Sequence, residues 1–349
     1  MTRQLFLFIF LLSLLVSCKK ESKLTVNSLK TKFIDAEVYN ELLRRDAENN
    51  KGILSDTLPV PFQNELSEYA FDTLYKYYVE EVIYGEDDRY NVYEQIITPE
   101  LKNDADKVAC LIKKDKIQLN ADSTYSLVYA KKFGDTRSFC DKEKFVKEPV
   151  ISFCSGFAVS EKLFITAGHC VDYNTLGDFF IVYGYRMNSE NAAITVINKN
   201  DIYEPVGIIK REKDGTKDYA VIQVKQPISK NRIAPYRKSG KISDKDTVHV
   251  IGHPSGLPLK VTLNANVYKN VYPNFFTINS DTYQGNSGSP VFNSTTHNVE
   301  GILVRGETDF RFDEIMRCTT SNICPINLGN CLGEDVTRVS QFINSISEK

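Results

Sequence analysis

Three short segments of this chain hold the residue types that acyl transfer through a serine hydroxyl requires. The first is Asp281-Thr282-Tyr283-Gln284-Gly285-Asn286-Ser287-Gly288-Ser289-Pro290, in which a serine stands among glycines. A serine hydroxyl is a weak nucleophile at neutral pH. An imidazole within reach must take its proton, and a carboxylate must fix the tautomer of that imidazole. Phe164-Ile165-Thr166-Ala167-Gly168-His169-Cys170 offers the imidazole, and Lys217-Asp218-Tyr219-Ala220-Val221-Ile222-Gln223-Val224 offers the carboxylate. Two backbone N–H groups must then hold the developing oxyanion. Gly285 leaves room for a backbone N–H to point at it. Gly288 lets backbone approach closely behind the serine. The remaining histidines, His249, His253 and His297, lie in no such segment, and the first two read as strand or turn residues flanking Val250-Ile251-Gly252.

Gly285-Asn286-Ser287-Gly288-Ser289-Pro290 resembles the nucleophile loop of the trypsin-like serine peptidases. That family runs His, Asp, Ser along the chain, and this order is kept; the α/β-hydrolase order, Ser, acid, His, is not. The resemblance implies His169 as general base then acid, Asp218 as its orienting carboxylate and Ser287 as nucleophile, with the Gly285 and Ser287 N–H groups as oxyanion hole. Asp214 is the nearest rival of Asp218, but Asp218-Tyr219-Ala220-Val221-Ile222 resembles the family's Asp strand. Val82-Ile83-Tyr84-Gly85-Glu86-Asp87-Asp88-Arg89 resembles the mature start of the bacterial glutamyl-endopeptidase-like branch. Asp281-Thr282-Tyr283 looks like the same branch. The resemblance spans roughly residues 82–349 and implies a peptidase domain of two six-stranded antiparallel β-barrels with a C-terminal helix. It also implies a Cys154–Cys170 disulfide bracing the His169 loop. The activation sequence Ile-Val-Gly-Gly is absent, and Asn286 stands where an Asp would pair with a new N-terminal ammonium.

Substrate preference stays open at this level. Asp281 sits at the family's pocket base and, read as in trypsin, would bind Lys or Arg. In the glutamyl branch an Asp-Thr pair here need not face the substrate. Thr282 and the strand residues Val304, Arg305 and Gly306 complete the expected substrate contacts. That strand lacks the His that binds Glu in the branch, and Arg305 could pair with Asp281, favour an acidic substrate, or face solvent, the commonest fate of an Arg.

The elements that must position these residues read as mainly β. Short apolar runs alternate with turn residues at 108–112, 126–130, 157–160, 164–166, 179–183, 220–224, 247–251, 275–278, 290–292 and 301–304, a pattern of sandwiches or barrels. Val336, Val339, Ile343 and Ile346 fall on one helical face and predict a terminal amphipathic helix. Residues 33–43, and a run from Pro61 through Phe62, Leu66, Leu74 and Tyr78, have helical spacing. Residues 49–61 read as a linker. The expected organisation is a lipoprotein signal peptide at 1–17, a tether and short helical N-terminal region at 18–81, and the peptidase domain at 82–349.

Leu5 to Val16 is apolar apart from Ser13, too short for a comfortable membrane span and fitted to an export signal. It leads into Leu15-Val16-Ser17-Cys18, which resembles a bacterial lipobox and predicts lipid on Cys18. The mature protein would then be anchored to the cell envelope, with the outer membrane as the expected site. Cleavage between Glu81 and Val82 would release it. No other stretch is apolar enough to span. The chain has 349 residues and is 42% hydrophobic and 25% charged, so a packed core is expected. A formal net charge of −2 gives no general attraction to nucleic acid. With Cys18 lipidated, seven of the eight cysteines remain. Cys110, in the apolar run Val108-Ala109-Cys110-Leu111-Ile112, is expected to be a buried thiol, and Cys140, Cys318, Cys324 and Cys331 form two further bridges of open pairing. No Cys/His spacing predicts a metal site, and no cofactor is expected. The partners implied are protein or peptide substrates, with oligomeric state undetermined. The activity expected is that of an endopeptidase; a non-catalytic binding protein on the same fold, or an esterase with the same triad, are the alternatives.

Overall fold

The structure is a computed structural model describing residues 82–347 apart from 215, 307–308 and 326–330, together with the segments Thr31–Phe33 and Glu65–Ser67. The chain divides into two compact units, Met1–Leu74 and Tyr75–Lys349. In the first, Thr31–Phe33 and Glu65–Ser67 form an antiparallel pair with Thr31 opposite Ser67. The helical run expected from Pro61 is therefore interrupted at 65–67. Leu66 satisfies the helical spacing, but a partner strand distant in sequence supplies the backbone hydrogen bonds instead. The leader, Cys18 and the 49–61 linker lie outside the described residues.

The second unit holds two seven-stranded antiparallel sheets. In the first, the spatial order is Ile202–Tyr203, Phe179–Tyr183, Val108–Lys113, Cys154–Ala158, Leu163–Thr166, Asp218–Val224 and Pro205–Lys213. Its outermost strands are not paired to each other. The second sheet closes on itself. Thr247–Gly252, Pro290–Asn293, Val299–Arg305, Glu334–Arg338, Phe275–Ile278 and Lys260–Lys269 form a ring, sealed where Thr247–Gly252 pairs with Lys260–Lys269; Arg89–Asn91 adds to the outside of the last strand.

The period-two alternation of strand side chains explains why these runs look uniformly apolar. In Asp218–Val224, Tyr219 and Val221 join one cluster while Ala220, Ile222 and Val224 join another. Leu163 and Ile165 face the first cluster and Phe164 the second. The first cluster also takes Ile251, Val261, Phe292 and Val304 from the closed barrel, so it packs one sheet on the other. The barrel's own interior holds Val250, Phe276, Ile278, Val291, Leu303 and Val336. Each such fully buried side chain contributes about 1.5–3 kcal/mol.

The expected terminal helix begins later than its spacing suggests. Val336 lies in the strand Glu334–Arg338, and only Ile343–Ser347 is α-helical, after a short turn at Val339–Gln341. Pairing with Val299–Arg305 and Phe275–Ile278 holds 334–338 extended, because the barrel cannot close without it. Among the described residues no helix is long and apolar enough to cross a membrane.

Candidate active site

His169 and Asp218 meet because their strands are neighbours. Leu163–Thr166 pairs with Asp218–Val224, with Thr166 opposite Ala220, so the turn leaving the first strand lies beside the start of the second. That turn, Gly168–Cys170, carries His169, and a Cβ on Gly168 would fall 2.2 Å from the Glu212 carbonyl oxygen. His169 Nδ1 is 2.6 Å from Asp218 Oδ2, and the His169 backbone N–H donates to Asp218 Oδ1 at 2.9 Å. Asp218 is fully buried. A carboxylate so placed fixes the Nδ1–H tautomer and leaves Nε2 as the base.

Ser287 comes from the other sheet, in the turn before Pro290–Asn293. Gly288 has φ +87°, and a Cβ there would lie 2.3 Å from the Ser155 carbonyl oxygen and 2.4 Å from Thr166 Oγ1. Gly285 has φ +104°. Neither the Gly285 nor the Ser287 N–H donates to an acceptor among the described residues, while Asn286 N–H donates to the Tyr283 carbonyl, Gly288 N–H to that of Leu303 and Ser289 N–H to that of Asn286. Two unpaired N–H groups flanking a serine can receive a developing negative charge. Ser287 Oγ makes no hydrogen bond. The residue Ser287 lines, with His169, Cys170 and Gly285, a cavity of about 660 Å³.

Ser155 ties the two sheets together at this point. Its N–H donates to the Ser287 carbonyl at 3.0 Å and its hydroxyl to the Gly285 carbonyl at 3.1 Å. Its Oγ also accepts from the His253 N–H at 2.9 Å. Ser255 N–H donates to the Gln284 carbonyl at 2.6 Å. His253 is buried, stacks on Tyr185, and donates from Nδ1 to the Leu257 carbonyl at 3.0 Å. Burial pulls its pKa down to about 3. Sequence reasoning missed Ser155, His253 and Ser255 as supports of the nucleophile loop; the one available hint was the Cys154-Ser155-Gly156 run beside a cysteine already singled out.

Disulfides frame the cavity. Cys154–Cys170 joins the central strand of the first sheet to the His169 turn. Cys140–Cys318 links the segment carrying Thr136 and Arg137 to the hairpin of Phe310–Asp313 and Cys318–Ser321, and both pieces line the cavity. Arg137 is exposed there, its guanidinium 5.0 Å over the Phe310 ring. The third bridge is Cys324–Cys331, and Cys110 is a buried thiol whose pKa burial raises.

The expected substrate contacts lie elsewhere. Asp281 accepts the Tyr84 N–H on Oδ1 and the Asp88 N–H on Oδ2, each at 2.6 Å. It therefore anchors the 84–88 segment and does not line the cavity. Burial pushes its pKa up to about 7 against those donors, which favour the charged form. Thr282 is buried, donating its N–H to the Val82 carbonyl. Arg305 is 1% exposed and pairs through Nε with Asp335 Oδ2 at 2.9 Å, so it neither faces solvent nor meets Asp281. Val304 packs in the core, and a Cβ on Gly306 would fall 1.8 Å from Glu334 Oε2. None of the five lines the cavity. The 82–88 segment claims Asp281 and Thr282, the strand Glu334–Arg338 claims Arg305 and crowds Gly306, and Val304 is taken by the apolar core.

Residues 154–302 match the trypsin-like peptidase domain family. No curated protein matches the chain. A solved structure of a Glu endopeptidase in complex with MPD resembles it at TM-score 0.44 and 16% identity, over 77% of this chain and all of that one. The M. tuberculosis H37Rv protein Rv3671c, solved as an inactive serine-to-alanine mutant, resembles it at TM-score 0.40 and 11% identity, over 76% of this chain and 96% of that one.

Proposed function

We propose, from the premise that this chain carries a trypsin-like peptidase domain, that it is an exported, lipid-anchored serine endopeptidase acting through Ser287. The observation that carries this reading is the His169–Asp218 pair, held at 2.6 Å on the cavity that also receives Ser287. In the first step Ser287 Oγ attacks the scissile carbonyl carbon while His169 Nε2 takes its proton. The Gly285 and Ser287 N–H groups hold the oxyanion, and Asp218 stabilises the imidazolium. His169 then protonates the leaving amine, which departs to leave an acyl-enzyme. A water attacks that ester, giving its proton to His169, and the carboxylic product leaves as Ser287 recovers its hydrogen.

Export is supported by the apolar leader ahead of Cys18 and by three disulfides, which persist in oxidising compartments. Anchoring rests on the lipobox-like run ending at Cys18. A fluorophosphonate probe tests the peptidase assignment: adduct formation on the parent chain that vanishes in Ser287→Ala supports it. Equal labelling of both would reject it. Radiolabelled palmitate incorporation, lost on Cys18→Ala, tests the anchor.

A further inference from the structure

Asp104, His249 and His297 come from three separate elements. Asp104 lies on the helix Pro99–Ala105 and His249 in the strand Thr247–Gly252. His297 sits in the turn between Pro290–Asn293 and Val299–Arg305. Asp104 Oδ2 lies 3.2 Å from His249 Nε2 and 2.5 Å from His297 Nδ1, and the three ligand atoms are within 4.8 Å of one another. Asp104 and His249 side chains are each 1% exposed and His297 is 32% exposed. None of the three lines the cavity of His169 and Ser287.

We propose that Asp104, His249 and His297 bind a divalent transition-metal ion of the zinc class, apart from the peptidase site. Two imidazoles and one carboxylate are a donor set that suits zinc. With metal–ligand bonds of about 2.0–2.2 Å, tetrahedral ligands stand about 3.4 Å apart. The Asp104–His249 spacing is already close to that. His297, on a partly exposed turn, needs to withdraw by about 1 Å, and its open side leaves a fourth position for water.

The surroundings fit a ligand role. On coordination each neutral imidazole must present a lone pair, so its proton moves to the other ring nitrogen. For His249 that nitrogen, Nδ1, lies 3.2 Å from Ser294 Oγ, the kind of outer partner that orients a ligating imidazole. Its ring stacks on Phe292 at 5.2 Å, which fixes its plane. Lys107 Nζ sits 3.5 Å from Asp104 Oδ1 and donates to the Asn103 carbonyl. It occupies the far carboxylate oxygen and leaves Oδ2 to the ion, at some loss of affinity. A bound ion would fasten the helix Pro99–Ala105 to the closed barrel, so binding appears as stability. Sequence spacing could not reveal this set, because its members are brought together only by the barrel and the helix on it.

The full chain, stripped with a chelator and titrated with Zn²⁺ in a calorimeter, tests the site. One equivalent is expected, with affinity at least tenfold weaker in His297→Ala and in His249→Gln, and unchanged in His169→Ala. Zn²⁺ should raise the melting temperature of the parent but not of His297→Ala, and Co²⁺ should give intense tetrahedral absorption bands. Unchanged Zn²⁺ affinity in His297→Ala would overturn the proposal, leaving a hydrogen-bond network. Loss of binding in His169→Ala alone, or only weak octahedral Co²⁺ bands, would overturn it too. Should His249→Gln fail to fold, the partly exposed His297→Ala decides.

Discussion

Asp218 grips His169 twice, through Oδ2 to the ring Nδ1 at 2.6 Å and through Oδ1 to the backbone N–H at 2.9 Å. The carboxylate thereby sets both the ring's tautomer and the turn that carries it. An amide at 218 would keep the shape but present a donor where the imidazole needs an acceptor. Asp218→Asn should lower kcat about 10⁴-fold with little change in KM. A loss confined to KM would contradict the orienting role.

Ser287→Ala should lower kcat/KM for peptide hydrolysis by about 10⁴–10⁶-fold. The near-ultraviolet circular dichroism and melting temperature should stay close to those of the parent, because Ser287 Oγ makes no hydrogen bond that the fold depends on. Turnover within tenfold of the parent would place the nucleophile elsewhere.

Gly288→Ala addresses the loop and not the chemistry. The new Cβ meets the Ser155 carbonyl oxygen and Thr166 Oγ1, both in the central strands, at a φ of +87° that disfavours L side chains. Destabilisation of about 3 kcal/mol or more in urea unfolding is expected, as for other overpacked core sites. A variant as stable as the parent would show that the loop can retreat from Ser155.

The Cys154–Cys170 bridge closes a 16-residue separation that includes the His169 turn. Replacing both by Ala should cost about 3 kcal/mol of stability by the chain-entropy relation. It should also lower kcat more than it raises KM, since the base loses its brace. Measuring unfolding and kinetics on the double variant separates the two effects, and unaltered kcat would deny the bracing.

His253 gives the fold an acid-sensitive group near the nucleophile loop. Its folded pKa of about 3 lies below the usual imidazole value, because burial disfavours the charged ring. The unfolded chain therefore takes up a proton that the folded one refuses. The stability this group contributes is present above about pH 6.5 and drains away as pH falls toward about 3. His253→Gln should flatten the decline in unfolding free energy across that window, relative to the parent. Parallel profiles for the two proteins would rule His253 out as the source.

The residue types and their order were legible along the chain: an imidazole leaving one apolar run, a carboxylate opening another, and a serine among glycines. So were most strands, because alternation and β-branched content are local properties and two-sided burial leaves continuous apolar runs such as residues 108–112. Partnership was not legible. Asp281 and Arg305 look available in the linear pattern. Their charges are taken up by the Tyr84 and Asp88 N–H groups and by Asp335, contacts across 197, 193 and 30 residues. Val336 keeps a helical spacing with Val339 and Ile343, yet barrel closure holds it extended. Ser155 becomes a clamp on the nucleophile loop only because one sheet packs on the other, and Asp104 meets His249 and His297 only because its helix packs on the closed barrel. The sequence by itself determined which side chains could do chemistry and where strands begin, since both depend on near neighbours. Only the tertiary structure decided which polar groups remain open to a substrate, since burial and pairing between distant segments set that outcome.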